Sequence, residues 1–253
     1  MADARSYAIL GRGRWARVIH NVLAGMGRRC TLIENTRRQS SESDFEYKAR
    51  LSAMMVDSLA EITWLCTPPG PHVPLMMEAA LTAGLHVIAE KPWPYSLAAA
   101  RPWMDMARER RRQAAVHFEY CLLDAVENWR TQLDRGAGLA FGGHFRVPGP
   151  DRLGMPAIDN LGCHLFAIRE YAVPESQMAE IVCDYEVVSE RKVWLERNRR
   201  EIASASFRDN KEPIIQRFIA RFESALEGSV LPFDIEFAAR VADSLSRWKQ
   251  SCP

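Results

Sequence analysis

The sequence lacks most features that mark specialised classes of protein. Its six cysteines contain no C-x-x-C pair and no zinc-finger spacing. The 33 basic and 32 acidic residues leave a net charge of +1, so no long-range field attracts nucleic acid or an anionic membrane. No apolar run could span a bilayer, and no signal peptide opens the chain. These absences predict a cytoplasmic protein with reduced thiols, no metal site, and no nucleic-acid or membrane partner.

The composition that remains is that of an ordinary globular protein. Apolar residues make up 47% and charged residues 26% of the 253 residues. A chain of this length can bury a sizeable core, in one large domain or two small ones. No internal repeat or low-complexity tract divides it.

A glycine motif follows the first apolar stretch, Ser6 to Leu10, which is predicted to be a β-strand. The motif has the pattern G-x-G-x-x-A and consists of Gly11, Arg12, Gly13, Arg14, Trp15 and Ala16. Gly11 allows a tight turn, Gly13 lets a pyrophosphate approach the backbone, and Ala16 lets helix and strand pack closely. The helix that follows supplies free N–H groups at its N-terminus. This stretch therefore predicts a dinucleotide site.

The second predicted strand, Cys30 to Ile33, leads into residues that bear on cofactor choice. Glu34 would accept hydrogen bonds from the adenosine ribose and favour NAD. Thr36, Arg37 and Arg38 would instead pair with a 2′-phosphate and favour NADP. The sequence alone leaves NAD and NADP open.

A strand–helix–strand unit comes next. Ile62 to Leu65 and Leu85 to Ala89 are predicted strands, and Val73 to Ala83 is a predicted helix that ends at Gly84. Such a unit makes its strands parallel neighbours, and ligands bind beyond the carboxyl ends of parallel strands. The residues expected at this edge beside a cofactor are Cys66, Thr67, Pro68, Pro69, His72, Glu90 and Lys91.

The nucleotide domain closes near residue 120. A helix from Tyr95 to Arg112, with Ser96 as N-cap, has a basic end that we interpret as a surface complement to the helix dipole. The strand Ala114 to Phe118 follows, and His117 within it is expected to be a core residue. Glu119 and Tyr120 leave its carboxyl end and should line the same cleft.

From residue 121 the pattern changes. The predicted elements are a helix at 122–133, a strand at 139–147, a loop at 148–156, a helix at 158–171, strands within 181–195 and at 202–207, and helices at 213–226 and 234–248. The predicted fold is therefore α/β, with an N-terminal Rossmann dinucleotide-binding domain at 1–120. A smaller α+β second domain follows at 121–253.

Two of these motifs together resemble a known family. C-T-P-P-G-P-H, at residues 66–72, and G-L-H-V-I-A-E-K-P, at residues 84–92, resemble the Gfo/Idh/MocA family of dinucleotide-dependent sugar and polyol oxidoreductases. The resemblance implies an NAD(P)(H) cofactor, a small-molecule substrate and a homodimer. It places Lys91 between nicotinamide and substrate, with Glu90 steadying the lysine loop. The middle of the second domain is shorter than in the family, so its sheet should be smaller.

The resemblance also implies a second catalytic group. In the family, a helix at this place carries Asp-x-x-x-His, whose members share one face. Aligned on His164, the acidic position is Asn160, and the acid Asp159 comes one residue early, a rotation of about 100° on a helix. Either the substrate has changed, or the local geometry at the helix start brings Asp159 inward. His164 would donate or accept the substrate proton, because an imidazole titrates near neutrality.

The expected function is hydride transfer between nicotinamide and a hydroxyl, carbonyl or imine carbon of a small polar, sugar-like metabolite. The expected catalytic residues are Lys91, His164, Asn160 and Asp159, and the expected substrate contacts are Lys91, Glu119, Tyr120, Asn160 and His164. The rival interpretation is a dinucleotide-binding relative without turnover, a sensor or an inactive subunit. Asn160 and the shortened sheet favour the rival, whereas retention of Lys91 and His164 opposes it.

Overall fold

The computed structural model describes residues 4–133, 138–149, 154–185, 189–207 and 212–251. Its contacts divide the chain into two compact units. The first comprises the described residues of Met1–His117 and Ile219–Ala239, and the second those of Phe118–Phe218 and Arg240–Pro253. The C-terminal region therefore contributes to both units.

The first unit is built on a five-stranded parallel sheet of order β2-β1-β3-β4-β5. Its strands are β1 (Ser6–Leu10), β2 (Arg29–Ile33), β3 (Ile62–Leu65), β4 (His86–Ala89) and β5 (Ala114–Val116). Every residue of β1, β3 and β5 is buried, because helices cover both faces of such a sheet. The chain runs from β1 to β2 on one side and returns to β3 on the other, which creates a switch point beside β1. The predicted Rossmann architecture is confirmed.

Four helices of the first unit follow the strands. They are α1 (Arg14–Gly25), α2 (Asp44–Asp57), α3 (His72–Thr82) and α4 (Leu97–Glu109). Ser96 accepts a hydrogen bond from the amide of Ala99 and so caps α4 as predicted. The prediction that this helix continues to Arg112 is wrong: it ends at Glu109, and Arg111 adopts a left-handed backbone with φ of 54° that an α-helix cannot contain.

The second unit contains a four-stranded mixed sheet of order β7-β6-β8-β9. Its strands are β6 (Leu139–Arg146), β7 (Gln177–Asp184), β8 (Glu190–Arg197) and β9 (Arg200–Ser206). β6 pairs with β7 in parallel and with β8 antiparallel, and β9 pairs antiparallel with β8, as expected for the run at 202–207. The predicted loop at 148–156 lies partly outside the described residues.

The helices of the second unit begin with a 3₁₀ turn at Glu119–Leu122 and α5 (Asp124–Gln132). A π-helical turn at Ile158–Gly162 runs directly into α6 (Cys163–Ala172). The chain closes with α7 (Glu212–Leu226) and α8 (Ile235–Ser251). A mixed sheet with these helices confirms the predicted smaller α+β second part.

Three general features of the described ranges bear on function. None of their helices is both long and apolar enough to cross a bilayer. No disulfide joins the described cysteines. Among the described residues, no group of three or more His, Cys, Asp or Glu side chains is arranged to hold a metal ion.

A buried polar cluster ties α7 to the sheet of the first unit. The Tyr7 hydroxyl, on β1, donates to Glu223 Oε1 at 2.9 Å. The guanidinium of Arg28 donates to both oxygens of Glu223, at 2.8 and 2.6 Å. Burial and the Glu223 charge raise the pKa of Tyr7 well above its ordinary value, so its hydroxyl stays a donor. Glu223 is only 8% exposed. Its hydrogen bonds join α7 to residues about two hundred positions earlier in the sequence.

We expect Glu223→Gln to lower the free energy of unfolding by about 2 kcal/mol, because it breaks a charged pair inside the protein. Tyr7→Phe should cost about 1 kcal/mol, the typical value of one hydrogen bond. Urea titration measures both. The matched control is Glu227→Gln, which breaks an exposed pair with Arg5 and should cost less than about 0.5 kcal/mol. A Glu223→Gln protein as stable as this control would contradict the assignment.

Candidate active site

The turn from β1 to α1 has the geometry of an anion cradle. Gly11 has φ of 140°, and a Cβ on it would lie 2.5 Å from the carbonyl oxygen of Cys66, so only glycine fits. Gly13 precedes α1, and a Cβ on it would meet no described atom within 4 Å. The first turn of α1 has neither a side-chain cap nor an acidic residue. Its amide groups and positive dipole end are therefore available to a phosphate.

The charged residues that follow β2 differ in their side-chain partners. Glu34 follows the strand directly and is exposed. The guanidinium of Arg38 pairs with Asp44 at 2.7 Å and donates to the carbonyl oxygen of Glu42. Arg37 is exposed, and no hydrogen bond or ion pair of its side chain to a described residue is found. Of the two arginines predicted for a 2′-phosphate, one is thus already engaged by its own loop.

The same loop is braced from α2. The Tyr47 hydroxyl donates to the carbonyl oxygen of the buried Thr36 at 2.9 Å. Arg50 donates to the carbonyl oxygens of Asn35 and Arg37 and to the Glu42 carboxylate. These bonds fix the backbone on which Glu34 and Arg37 stand.

The residues after β3 form the next part of the edge. Cys66 is buried, and burial, followed by the nearby Glu90 charge, raises the pKa of its thiol well above the usual value. Thr67 and Pro69 are half-buried and Pro68 is exposed. His72 opens α3, and burial lowers its pKa although a hydrogen bond with the Pro68 backbone opposes the shift. A neutral imidazole therefore stands at the start of this helix at neutral pH.

Glu90 and Lys91 leave the carboxyl end of β4 in different environments. Glu90 is turned into the protein: its Oε1 accepts from Trp64 Nε1 at 2.9 Å and lies 3.0 Å from His117 Nδ1. Lys91 is partly exposed, and the Lys91–Pro92 peptide is cis. Lys91 thus stands at the same edge of the sheet as the β1–α1 turn, since both follow carboxyl ends of parallel strands.

In the second unit, two predicted substrate residues lie in one aromatic cluster. The His164 ring stacks on Phe145 with centroids 5.2 Å apart, and it meets the Tyr120 ring edge-on at 4.7 Å. The Arg191 guanidinium lies 5.4 Å from the centre of the Phe145 ring. His164 is 3% and Glu119, in the neighbouring 3₁₀ turn, 1% exposed. Both polar groups are held inside the protein rather than on its surface.

Asn160 and Asp159 lie in the π-helical turn that precedes His164. A π turn carries one residue more than an α-helical turn, so the one-residue offset of the acid coincides with a local change in helical geometry. Nevertheless, Asn160 Nδ2 donates to the Tyr185 hydroxyl at 2.9 Å, and the Asp159 carboxylate pairs with Lys249 at 2.7 Å. The two side chains thus engage different protein partners.

Comparison with known proteins identifies the first unit. The model of the Gfo/Idh/MocA oxidoreductase family, which has an NAD-binding Rossmann fold, matches residues 5–118. The match to the Gfo/Idh/MocA family thus covers residues 5–118, which make up most of the first unit. An uncharacterized oxidoreductase of Schizosaccharomyces pombe is 28% identical in an alignment of 202 positions that covers 69% of this chain and 53% of that protein. The aligned stretch thus spans about half the length of this relative.

Solved structures of dehydrogenases share the whole fold. The UDP-N-acetylglucosamine 3-dehydrogenase of Acidithiobacillus ferrooxidans matches with a TM-score of 0.74 at 15% identity, over 96% of each chain. An inositol dehydrogenase homologue of Azotobacter vinelandii, solved with NADH and myo-inositol, matches with a TM-score of 0.72 at 14% identity, over 99% of this chain and 96% of its own. At these identities the likeness establishes the fold alone.

Sequence reasoning missed several partners of the Gfo/Idh/MocA motifs. His117 is buried as predicted, but the sequence gives no sign that its imidazole lies against the Glu90 carboxylate. Trp64 is predicted only as a strand residue, yet its indole N–H donates to the same oxygen. The available signal was a polar or donor side chain within each apolar strand, because a buried donor needs an acceptor.

We expect the two glycines of the cradle to respond differently to an added side chain. Gly11→Ala should destabilise the fold by about 2 kcal/mol or more, since the new Cβ collides with the Cys66 carbonyl at an unfavourable φ. Gly13→Val should change the free energy of unfolding by less than about 1 kcal/mol, because a Cβ at Gly13 meets no described atom within 4 Å. It should weaken dinucleotide binding at least tenfold, because the valine side chain would occupy the space that the pyrophosphate needs. Urea titration and calorimetry separate the two effects. Unchanged dinucleotide affinity in a folded Gly13→Val protein would rule out this cradle.

Proposed function

We propose that this protein is a nicotinamide-dependent oxidoreductase that acts on a hydroxyl, carbonyl or imine carbon of a small, sugar-like metabolite. One observation carries the proposal: Lys91 follows a parallel strand at the same sheet edge as an uncapped helix that can bind a pyrophosphate. The match of residues 5–118 to an NAD-binding oxidoreductase family supports it. The solved relatives that act on a nucleotide sugar or bind a polyol support the substrate class.

The residues present fit a dinucleotide. The backbone at Gly11, Arg12, Gly13, Arg14 and Trp15 would hold its phosphates, and Thr67, Pro68, Pro69 and His72 would border its second ribose. When bound, the nicotinamide supplies the hydride donor or acceptor that no side chain can provide. The protein's own task is to position the substrate and to manage the charge and proton of its reacting oxygen.

Lys91 and His164 would divide that task. The Lys91 ammonium would donate to the reacting oxygen and stabilise the negative charge that develops on it. His164 would accept or donate the proton. Asn160 would orient a substrate hydroxyl through its amide, which accepts and donates but carries no charge. Glu119, Tyr120 and Asp159 remain predicted contributors to substrate binding.

We propose NAD rather than NADP as the preferred cofactor. Glu34 stands exposed at the end of β2, about twenty residues after the glycine motif, as an acid that binds a ribose 2′-hydroxyl does. The Arg38 charge is already satisfied by Asp44. A 2′-phosphate would therefore meet the Glu34 carboxylate with only Arg37 to offset it.

Calorimetric titration should show NADH binding at least tenfold more tightly than NADPH. Glu34→Gln should narrow that difference, because it removes the charge that repels a 2′-phosphate. The control is Glu42→Gln, which changes an acid of the same loop that already pairs with Arg50. Tighter binding of NADPH than of NADH by the unmodified protein would refute this preference.

Turnover should depend on Lys91 and His164. We expect Lys91→Met to reduce turnover at least a hundredfold on an active keto-sugar, polyol or imine, since one oxyanion donor is lost. His164→Ala should reduce turnover by a similar factor. The control is Lys192→Met, which changes a half-buried lysine on β8 that pairs with Glu201. If both site variants kept near-normal turnover while binding NADH, the assigned roles would be wrong.

The second candidate is a dinucleotide-binding protein without turnover. The engagement of Asn160 by Tyr185 and of Asp159 by Lys249, together with the deep burial of His164, favours it. Single-turnover measurements with NAD⁺ or NADH and a substrate panel distinguish the two: an oxidoreductase interconverts the cofactor with some member, whereas a sensor binds it unchanged. The predicted homodimer and cytoplasmic location stay predictions.

A further inference from the structure

The Glu90 carboxylate is buried at the edge of the first unit's sheet, whereas the neighbouring Lys91 is partly exposed. Glu90 Oε1 accepts from Trp64 Nε1 at 2.9 Å and lies 3.0 Å from His117 Nδ1. The His117 and Trp64 rings meet edge-on with centroids 5.0 Å apart, and the Trp15 ring stacks on His117 at 6.2 Å. Trp64 lies in β3, His117 directly follows β5, and Trp15 belongs to the first turn of α1. The carboxylate thus connects the phosphate turn with the strand end that carries Lys91.

The charge of this group is well defined. An indole N–H can only donate, so Oε1 must accept from Trp64. Burial by itself raises the pKa of Glu90, but the charge and hydrogen bond of His117 and the hydrogen bonds of Trp15 and Trp64 lower it below its ordinary value. Glu90 is therefore an anion at neutral pH.

The strand order places this charge on the nicotinamide side of the proposed cofactor site. The order is β2-β1-β3-β4-β5, with the phosphate turn after β1 and Glu34 after β2. A dinucleotide whose adenosine lies at Glu34 must extend its other nucleoside toward β3, β4 and β5. Glu90 follows β4, two strands from β1 or about 10 Å along the sheet.

Building on the proposed function, we propose that the Glu90 carboxylate is an electrostatic element that favours the oxidised cofactor over the reduced one. The oxidised nicotinamide ring is cationic and the reduced ring is neutral, so only the former is attracted by a nearby anion. A buried charge is screened by solvent much less than the partly exposed ammonium of Lys91. Stronger binding of the oxidised form lowers the reduction potential of the bound couple. Bound NADH would thereby be a stronger hydride donor, and the site would favour reduction of the substrate.

The test is a comparison of three ligands by calorimetry: NAD⁺, NADH, and ADP-ribose, which lacks the nicotinamide ring. Glu90→Gln keeps the shape and one acceptor oxygen but removes the charge. It should raise the ratio of the NAD⁺ Kd to the NADH Kd about tenfold. The affinity for ADP-ribose should change by less than about twofold, because that ligand lacks the nicotinamide ring on which the Glu90 charge acts.

Two further variants separate charge from positioning. Trp64→Phe removes a hydrogen bond to Glu90 but retains its charge, so the ratio should stay within about threefold of the wild-type value. His117→Asn offers a neutral donor in place of the imidazole, and the preference for NAD⁺ should be kept or increased. A ratio that is unchanged in folded Glu90→Gln, or that shifts as strongly in Trp64→Phe, would overturn the proposal.

The unmodified protein provides a check that does not depend on any variant folding. It should bind NAD⁺ at least as tightly as NADH, and tenfold tighter binding of NADH would overturn the proposal. Failure of the proposed function gives a different result: none of the three ligands would bind, ADP-ribose included. Binding of all three without the predicted ratio would leave the oxidoreductase proposal standing and remove only the role of Glu90.

Discussion

The close approach of Gly11 to the Cys66 carbonyl oxygen is the constraint on which the proposed site depends. It brings the β1–α1 turn against the end of β3, with no room for a side chain between them. The β1–α1 turn sets the start of α1, and hence the position of the amide groups that can hold a phosphate. Because the strands are parallel, Glu34, Thr67 and Lys91 leave the sheet at the same edge. Chain connectivity alone gathers them.

Much of the first unit could be predicted from sequence because its signals are local. Apolar runs, the glycine motif and the Ser96 cap each act within a few residues of the elements that they define. The return of 219–239 to the first unit could not be predicted, since it depends on contacts such as Glu223 with Tyr7 and Arg28. Likewise, the end of α4 at Glu109 depends on one left-handed residue within a run of arginines that favours helix.

The second unit illustrates what a motif alone leaves undecided. The sequence predicts one helix for Asn160 and His164, and the helical turn that contains Asn160 does run directly into α6, which contains His164. Only the structure shows that this turn is π-helical, that Tyr185 binds Asn160, and that two aromatic rings enclose His164. These partners come from the 3₁₀ turn, β6 and the end of β7, so no spacing rule within the motif could reveal them. The surroundings of a polar group, rather than its place in a motif, decide its chemistry.

A crystal structure of the protein with bound NAD⁺ would show directly whether the β1–α1 turn holds the dinucleotide. We expect the pyrophosphate on the amide groups of Gly13 to Trp15, the adenosine ribose at Glu34 and the nicotinamide ring beyond the end of β4, near Lys91. A dinucleotide bound elsewhere, or bound here in the opposite direction with adenine near Lys91, would contradict this expectation.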